Sequence, residues 1–373
     1  MPVLRSDSLR LFLSRSWAGL AIVGTVAVAG LIVARASWPA GILLLGSSGL
    51  LALGALVSIW RVHRAAPPPG KLYRVNGVPV HVLAEGEATD AHPVIWVAGG
   101  WGEGLIMHHL HRVLREETRS ILFDRTGSGW TGPANGPVTI TDETRQLKET
   151  LEQAGERGPF VLAGHSFGGL FCANFAHRYP ELVAGVLLLD STPPWNVAFA
   201  GELSLGAVIR KAWRGALAAH FGLHRLVEPE IDDPDSDLAR ELDDVAEVVN
   251  WHSVQPKSLL AEASAFRNTI ANPFELVIGK GALGDLPLVL MAQNPSPEEM
   301  AEMRAQIGQK LGLNEIQLQN LFEGLRDSND QQVALSRRGR LVTMPEGSSH
   351  MYPYEHPGMV LDEVRKMIQE GRE

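Results

Sequence analysis

The sequence predicts an α/β protein: a mostly parallel β-sheet flanked by helices on both faces, interrupted by a helical insertion and preceded by an apolar helical hairpin. Three observations predict it. Short apolar strands alternate with helical stretches from about residue 72 to the C-terminus, the pattern of a parallel sheet covered on both sides. The alternation stops between Ser191 and Asp285, where helical spacing is legible and strong strand signals are not. Two uncharged runs, Ser16–Ala34 and Ala36–Trp60, come before the first strand, and each is close to the ~20 residues that cross a bilayer core.

Composition sets the outer bounds. The chain has 373 residues, 45% hydrophobic and 20% charged, which is too apolar for a disordered chain. A net charge of −9 argues against a nucleic-acid partner, because phosphate binding needs an excess of Lys and Arg. The single cysteine, Cys172, excludes an internal disulfide and an all-cysteine zinc site. Charge is unevenly spread. Residues 1–66 hold six Arg and one Asp, a net of +5, which leaves −14 on the remainder of a chain whose total is −9.

That basic, apolar head reads as a membrane hairpin with spans at about 16–34 and 39–60. Trp17, Trp38 and Trp60 stand at segment ends, where interfacial aromatics belong. Arg5, Arg10 and Arg15 precede the first span, and Arg61, Arg64, Lys71 and Arg74 follow the second. Positive charge on both outer ends predicts a two-span membrane protein with its C-terminal body in the cytoplasm. A signal peptide is disfavoured by the second apolar run, and a pair of core helices by the lack of a polar face. Ala65–Gly70, rich in proline, reads as a stiff linker. The expected units are therefore 1–66 (hairpin and linker), 67–190 with 286–373 (α/β core), and 191–285 (helical lid).

Within the core, Leu72–Val75 and Val78–Leu83 flank Asn76-Gly77, a β-hairpin signal. Strands are expected at Val94–Ala98, Ser120–Phe123, Phe160–Ala163, Val183–Leu189, Leu286–Met291 and Leu341–Met344. Helices are expected over Glu103–Glu117, Asp142–Ala154 (capped near Thr141), Phe167–Arg178 and Pro357–Glu370, and in the insertion over Ala200–Ala218 and Asp237–Asn250. The acidic run Glu228, Glu230, Asp232, Asp233, Asp235, Asp237 reads as a solvated linker and helix start, since it lacks ligand spacing.

The chemistry centres on Gly164-His165-Ser166-Phe167-Gly168. This G-x-S-x-G follows an apolar strand and opens a helix, the setting of a nucleophile elbow. A sharp turn there admits only small residues two positions either side of the serine. A serine hydroxyl needs a base, and His350, in the loop between the last expected strand and the last helix, satisfies the chain order Ser…acid…His. His356 reads as a helix-start residue, His165 as packed within the elbow, and His108, His109 and His111 as surface or pocket-edge residues without metal spacing. The acid has two candidate places at the same strand edge: Asp190 at the end of Val183–Leu189, or Glu298 or Glu299 beyond Leu286–Met291. An oxyanion hole needs two backbone N–H groups. Phe167 is the candidate for one, and Gly100 or Trp101 for the other.

Residues 71–373 resemble the α/β-hydrolase superfamily, in its serine esterase and lipase-like form. The matching residues are Ala98-Gly99-Gly100, Asp124-Arg125-Thr126-Gly127-Ser128-Gly129-Trp130, the Ser166 elbow and Gly347-Ser348-Ser349-His350. The resemblance implies that the Asp124-Arg125 segment supports the fold, and that the acid sits most often after the penultimate strand and in a minority of members one strand earlier. Serine at the elbow, where haloalkane dehalogenases and epoxide hydrolases of this fold carry Asp, implies acyl chemistry. No dinucleotide fingerprint and no metal motif is present, so no cofactor is expected. The expected function is hydrolysis of a small-molecule carboxylic ester through Ser166, His350 and an acid. Acyl transfer or amide hydrolysis by the same groups, and a non-catalytic membrane binding protein, are the alternatives. Trp195, Phe199, Trp213, Phe221, Trp251 and Phe266 in the insertion hint at lipophilic esters.

Overall fold

The computed structural model describes residues 13–15, 17–64, 67–100, 102–193, 206, 209–223, 237–242, 245–272, 275–277, 279–311 and 314–370. Eight strands form one sheet: β1 (Lys71–Val75), β2 (Val78–Glu85), β3 (Val94–Val97), β4 (Ser120–Phe123), β5 (Phe160–His165), β6 (Val183–Leu189), β7 (Leu288–Ala292) and β8 (Gly339–Thr343). Their spatial order is β1-β2-β4-β3-β5-β6-β7-β8. β2 is antiparallel to β1 and to β4, and every pairing from β4 through β8 is parallel. The β1–β2 turn has positive φ at both Asn76 and Gly77, the geometry an Asn-Gly pair favours.

β3, β4, β5 and β7 are buried along their whole length, which is why they read as unbroken apolar runs. Alternate residues feed two cores. Ile95, Val97, Ile121 and Leu162 pack with Leu147, Leu170, Phe171 and Phe175 on one face. Val94, Trp96, Leu122 and Ala163 pack with Leu110, Leu114, Val360 and Val364 on the other.

Several boundaries move. The stretch expected as one helix over Glu103–Glu117 is a 3-10 turn, Gly104–Met107, followed by a short helix, His108–Leu114. The helix expected from Asp142 begins at Ile140, and its N-cap is Thr139, whose hydroxyl accepts the Asp142 N–H at 3.1 Å. Two helices between β7 and β8, Pro297–Leu311 and Glu315–Val333, have no counterpart in the sequence reading. The second opens on a reciprocal cap between Asn314 and Gln317, a short polar signal easily taken for loop. Asp237–Asn250 resolves into Asp237–Leu242 and Ala246–Ser253, and a longer helix, Pro256–Ala271, follows. Helix 209–220 covers the described part of the expected Ala200–Ala218 element. Trp195, Phe199 and residues 228–235 lie outside the described residues, as do Arg5, Arg10, Ala65 and Ala66.

The N-terminal apolar runs form helices Ala18–Ala34 and Trp38–Arg64. The segment Trp38–Trp60, 23 residues, is long and apolar enough to cross a membrane, while Ala18–Ala34 is 17 residues long. At the rise of an α-helix the first measures about 34 Å against a bilayer core of about 30 Å. Leu31, Ile32, Leu43, Leu50 and Leu53 are exposed along these helices. Their other end meets the β6–β7 insertion: Leu13 and Ala18 pack with Ala212, Ala216, Leu259, Leu260 and Ala263. Ser58 Oγ donates to the Ala219 carbonyl at 2.9 Å, and His220 Nε2 donates to the Leu13 carbonyl at 2.8 Å. Phe221 packs on Val23 and Ala55, Trp213 joins the Leu13 cluster, and Phe266 rests on the main core. These three aromatics therefore each have packing partners among the described residues.

Candidate active site

Ser166 stands at the tip of β5, between that strand and helix Phe167–Arg178, with φ 53° and ψ −122°. Positive φ is rare for a residue with a Cβ and marks a strained turn. Three backbone bonds hold it there. The Ser166 N–H donates to the Leu189 carbonyl at 2.9 Å, and the Ser166 carbonyl accepts from Gly169 and Thr192, each at 3.0 Å. Close packing explains the flanking glycines. A Cβ on Gly164 would lie 2.3 Å from the Gly168 carbonyl oxygen, and one on Gly168 would lie 2.3 Å from that of Val97. The residues two before and two after the serine must be glycine for β3 and the elbow helix to meet.

The loop after β3 runs beside the serine. A Cβ built on Gly99 would be 3.1 Å from the Ser166 Cβ. Gly100 follows it, and Trp101 lies outside the described residues. Phe167, the other candidate oxyanion donor, is buried at the start of the elbow helix.

Asp190 and His350 come together across 160 residues of sequence. His350 Nδ1 lies 2.5 Å from Asp190 Oδ2. Asp190 directly follows β6 with φ 42°, its N–H donates to the Met291 carbonyl at 2.9 Å, and its Oδ1 accepts the Gln293 N–H at 3.3 Å. The positive φ turns the carboxylate off the strand line toward the loop after β8. Glu298 and Glu299 sit elsewhere, exposed in the first turn of helix Pro297–Leu311, where Glu299 accepts the Ser296 N–H at 2.8 Å. The loop after β7 is instead used structurally: Asn294 accepts the Gly347 N–H at 2.8 Å and donates its own to Ser348 at 3.1 Å.

Two supports of His350 carry no sequence signal. His165 Nε2 donates to the His350 carbonyl at 2.9 Å, and the two rings meet at a tilt with centroids 4.6 Å apart. Burial pushes His165 down to about 4, so the ring is neutral at pH 7 and its single proton goes to that carbonyl. Glu355 accepts the Ser349 N–H at 3.1 Å and also holds the Ser349 hydroxyl.

A buried charge cluster underlies the β3 loop. Arg125, 3% exposed, donates through Nη2 to the Gly99 carbonyl and to Glu262 Oε2, both at 2.9 Å, and lies over the Phe167 ring. Glu143 approaches the same guanidinium at 3.7 Å. Burial pushes Glu143 up to about 7 against the pull of Arg125. Nearby, burial pushes Glu103 well above the usual carboxyl range, with Asp124 adding to the effect, and its Oε2 lies 2.5 Å from His252 Nδ1. Burial pushes Lys257 down to about 8; its ammonium donates to the Gly129 and Thr131 carbonyls. Ser258 Oγ donates to the Gly127 carbonyl at 2.9 Å. These contacts fasten helix Pro256–Ala271 to the Asp124–Thr131 loop and so to the β3 edge.

The histidines between β3 and β4, expected at the surface or a pocket edge, are in part buried. His109 and His111 are buried; His109 Nε2 pairs with the Pro353 carbonyl at 3.0 Å, and His111 bridges Ser120 and Glu85. His356 precedes Pro357 at the start of the last helix, as expected. Among the described residues no group of three or more His, Cys, Asp or Glu could hold a metal ion.

The fold and this geometry agree with the comparison to known families. The family model described as "Alpha/beta hydrolase family" matches residues 94–363. The chain belongs to the alpha/beta hydrolase family. Like other alpha/beta hydrolases of known structure, it superimposes on a thermophilic esterase from Thermogutta terrifontis, with a TM-score of 0.54, 19% identity, and coverage of 80% of this chain and 97% of that one. At that identity the likeness shows the fold. Among curated relatives, the uncharacterized protein YbdG of Bacillus subtilis is 23% identical over 187 residues, 49% of this chain and 57% of YbdG. Lipase LipV of Mycobacterium tuberculosis is 34% identical over 113 residues, 30% of this chain and 42% of LipV. The chain thus spans about half the length of these curated relatives.

Proposed function

We propose that this alpha/beta hydrolase is a membrane-anchored serine hydrolase that cleaves carboxylic esters through a covalent acyl-enzyme. The observation that carries the reading is the conjunction of a strained elbow serine, Ser166, with the 2.5 Å Asp190–His350 contact at the same strand ends. In this mechanism Ser166 Oγ bonds to the acyl carbon while His350 Nε2 takes its proton. The carbonyl pair moves onto oxygen, where the Gly100 and Phe167 N–H groups hold the charge. Asp190 holds the His350 Nδ1–H and stabilises the imidazolium. The intermediate collapses, the C–O bond to the alcohol breaks, and the alcohol leaves with the proton from His350. A water, deprotonated by His350, then attacks the acyl carbon; Ser166 recovers its proton and the carboxylic acid departs.

Helices Ala18–Ala34 and Trp38–Arg64 act in this reading as the two spans, with the hydrolase body cytoplasmic and residues 191–285 as its lid. The exposed leucines of the helices support insertion, and the packing of Leu13 and Ala18 on Leu259, Leu260 and Ala263 supports a lid held close to the bilayer. After carbonate extraction the full-length protein is expected in the membrane pellet, with its body digested by protease from the cytoplasmic side only. Recovery in the supernatant, or protection from cytoplasmic protease, counts against the spans or their orientation.

The test of the chemistry is labelling with a fluorophosphonate in detergent. Wild type is expected to label, S166A to lose the label, and D190N to label more slowly. A folded wild type that takes no label would move the reading to a non-catalytic binding protein.

A further inference from the structure

We propose that Arg125 is a positioning residue for the oxyanion hole: its guanidinium fixes the direction of the Gly100 N–H by holding the other edge of the same peptide. This rests on the ester-hydrolase reading above, in which Gly100 supplies one of the two oxyanion donors. The Gly99 carbonyl and the Gly100 N–H belong to one peptide unit, and that unit is trans. A planar trans peptide points its C=O and its N–H to opposite sides. A donor anchored to the carbonyl therefore sets where the N–H aims. Arg125 Nη2 is such a donor, 2.9 Å from the Gly99 oxygen. The Gly102 N–H reaches the same oxygen at 3.3 Å. The opposite edge is open: among the described residues the Gly100 N–H donates to no group. Ser166 stands beside this peptide, since a Cβ on Gly99 would lie 3.1 Å from the Ser166 Cβ.

The loop needs an outside anchor, because glycine at 99 and 100 leaves it no side chain to lock against its neighbours. Arg125 is itself held from two directions. Glu262, on helix Pro256–Ala271, accepts from Nη2 at 2.9 Å, and Glu143, on helix Ile140–Ala154, lies 3.7 Å from Nη1. The guanidinium carbon is 5.1 Å from the centre of the Phe167 ring, and Phe167 carries the second oxyanion donor of this reading. One side chain thus touches both donor-bearing segments. Its charge acts in the same sense as its geometry. A cation on the carbonyl polarises the peptide and strengthens the N–H as a donor to a developing oxyanion. Bracing alone does not account for the group, because a buried ion pair adds little net stability over an apolar pair of similar volume.

The experiment compares full-length wild type, R125M and R125K in detergent, with p-nitrophenyl butyrate as substrate and a trifluoromethyl ketone of the same acyl length as inhibitor. Ser166 Oγ adds to the ketone carbon, His350 takes the proton, and the carbonyl oxygen becomes an oxyanion in the hole, so the inhibitor's affinity reports that hole. Active sites are counted by the endpoint of fluorophosphonate labelling. R125M is expected to lower kcat per labelled site by about 10–100-fold, less than the roughly 10²–10³-fold cost of a donor removed outright. KM is expected to stay within about threefold, and Ki for the ketone to rise by the factor that kcat/KM falls. R125K keeps a charge and a donor without the planar fork, and is expected between R125M and wild type. Where R125M melts early, R125M/E262M replaces the whole pair with apolar side chains, and the same kinetic losses are expected from a folded protein. A merely structural role would lower the melt and the number of labelled sites, and leave kcat per site and the ketone Ki near wild type. That result overturns the proposal, as does loss of the fold in the double variant or a rise in KM with kcat unchanged. Wild type that neither turns over the ester nor takes the label fails at the earlier step, the hydrolase reading, and this inference falls with it.

Discussion

S166A is expected to lower kcat by about 10⁶-fold, the size seen when a triad nucleophile is deleted, while leaving the fold intact. The contacts that define the elbow belong to the backbone: the Ser166 N–H to Leu189, and the Ser166 carbonyl to Gly169 and Thr192. Alanine preserves all three. It carries the same Cβ as serine at φ 53°, so it inherits the existing strain without adding to it. The expected loss is therefore confined to the hydroxyl that, in the proposed mechanism, forms the acyl-enzyme bond. The check is kcat on a p-nitrophenyl ester beside a thermal melt; a normal melt with turnover within tenfold of wild type would sink Ser166 as the nucleophile. Some catalysis over water should survive, because the N–H groups of Gly100 and Phe167 are untouched by the substitution.

What the sequence made legible follows from how each feature is encoded. β3, β5 and β6 announce themselves because strands buried on both faces are continuous apolar runs. The elbow is legible because its glycines answer a local steric demand: a Cβ added at Gly164 or Gly168 would stand 2.3 Å from a backbone oxygen. The acid was ambiguous for a different reason. A strand end can be read from sequence, but the direction of its last side chain depends on backbone dihedrals, here the φ of 42° that sends Asp190 toward His350. The loop after β7 offered Glu298 and Glu299 as the alternative to Asp190; there Asn294 pairs with the Ser348 loop, and the two glutamates are exposed at a helix start. Wholly illegible were contacts between residues remote in the chain: His165 under His350, 185 residues apart, and Arg125 on Glu262, 137 apart. Each of those side chains reads locally as ordinary. Only tertiary packing shows that one neutral imidazole and one guanidinium brace the two loops that flank the serine.

D190N is expected to lower kcat on the order of 10⁴-fold, the cost of exchanging carboxylate for amide behind a triad histidine. The structure makes this a clean exchange. Asparagine is among the few residues at ease with φ near 42°, and its carbonyl oxygen can keep the Gln293 N–H that Asp190 Oδ1 accepts at 3.3 Å. What changes is the group 2.5 Å from His350 Nδ1. An amide N–H₂ there is a donor, so it favours the imidazole tautomer with Nδ1 bare and the proton on Nε2. In that tautomer the nitrogen that must take the Ser166 proton is already occupied, and no negative charge remains to stabilise the imidazolium. His165 still anchors the His350 carbonyl, so the ring stays in place and the deficit is one of protonation and charge. KM should accordingly change far less than kcat. A D190N enzyme with kcat within tenfold of wild type would remove Asp190 from the mechanism, and because Glu298 and Glu299 are exposed at a helix start, it would leave His350 to act without a carboxylate partner.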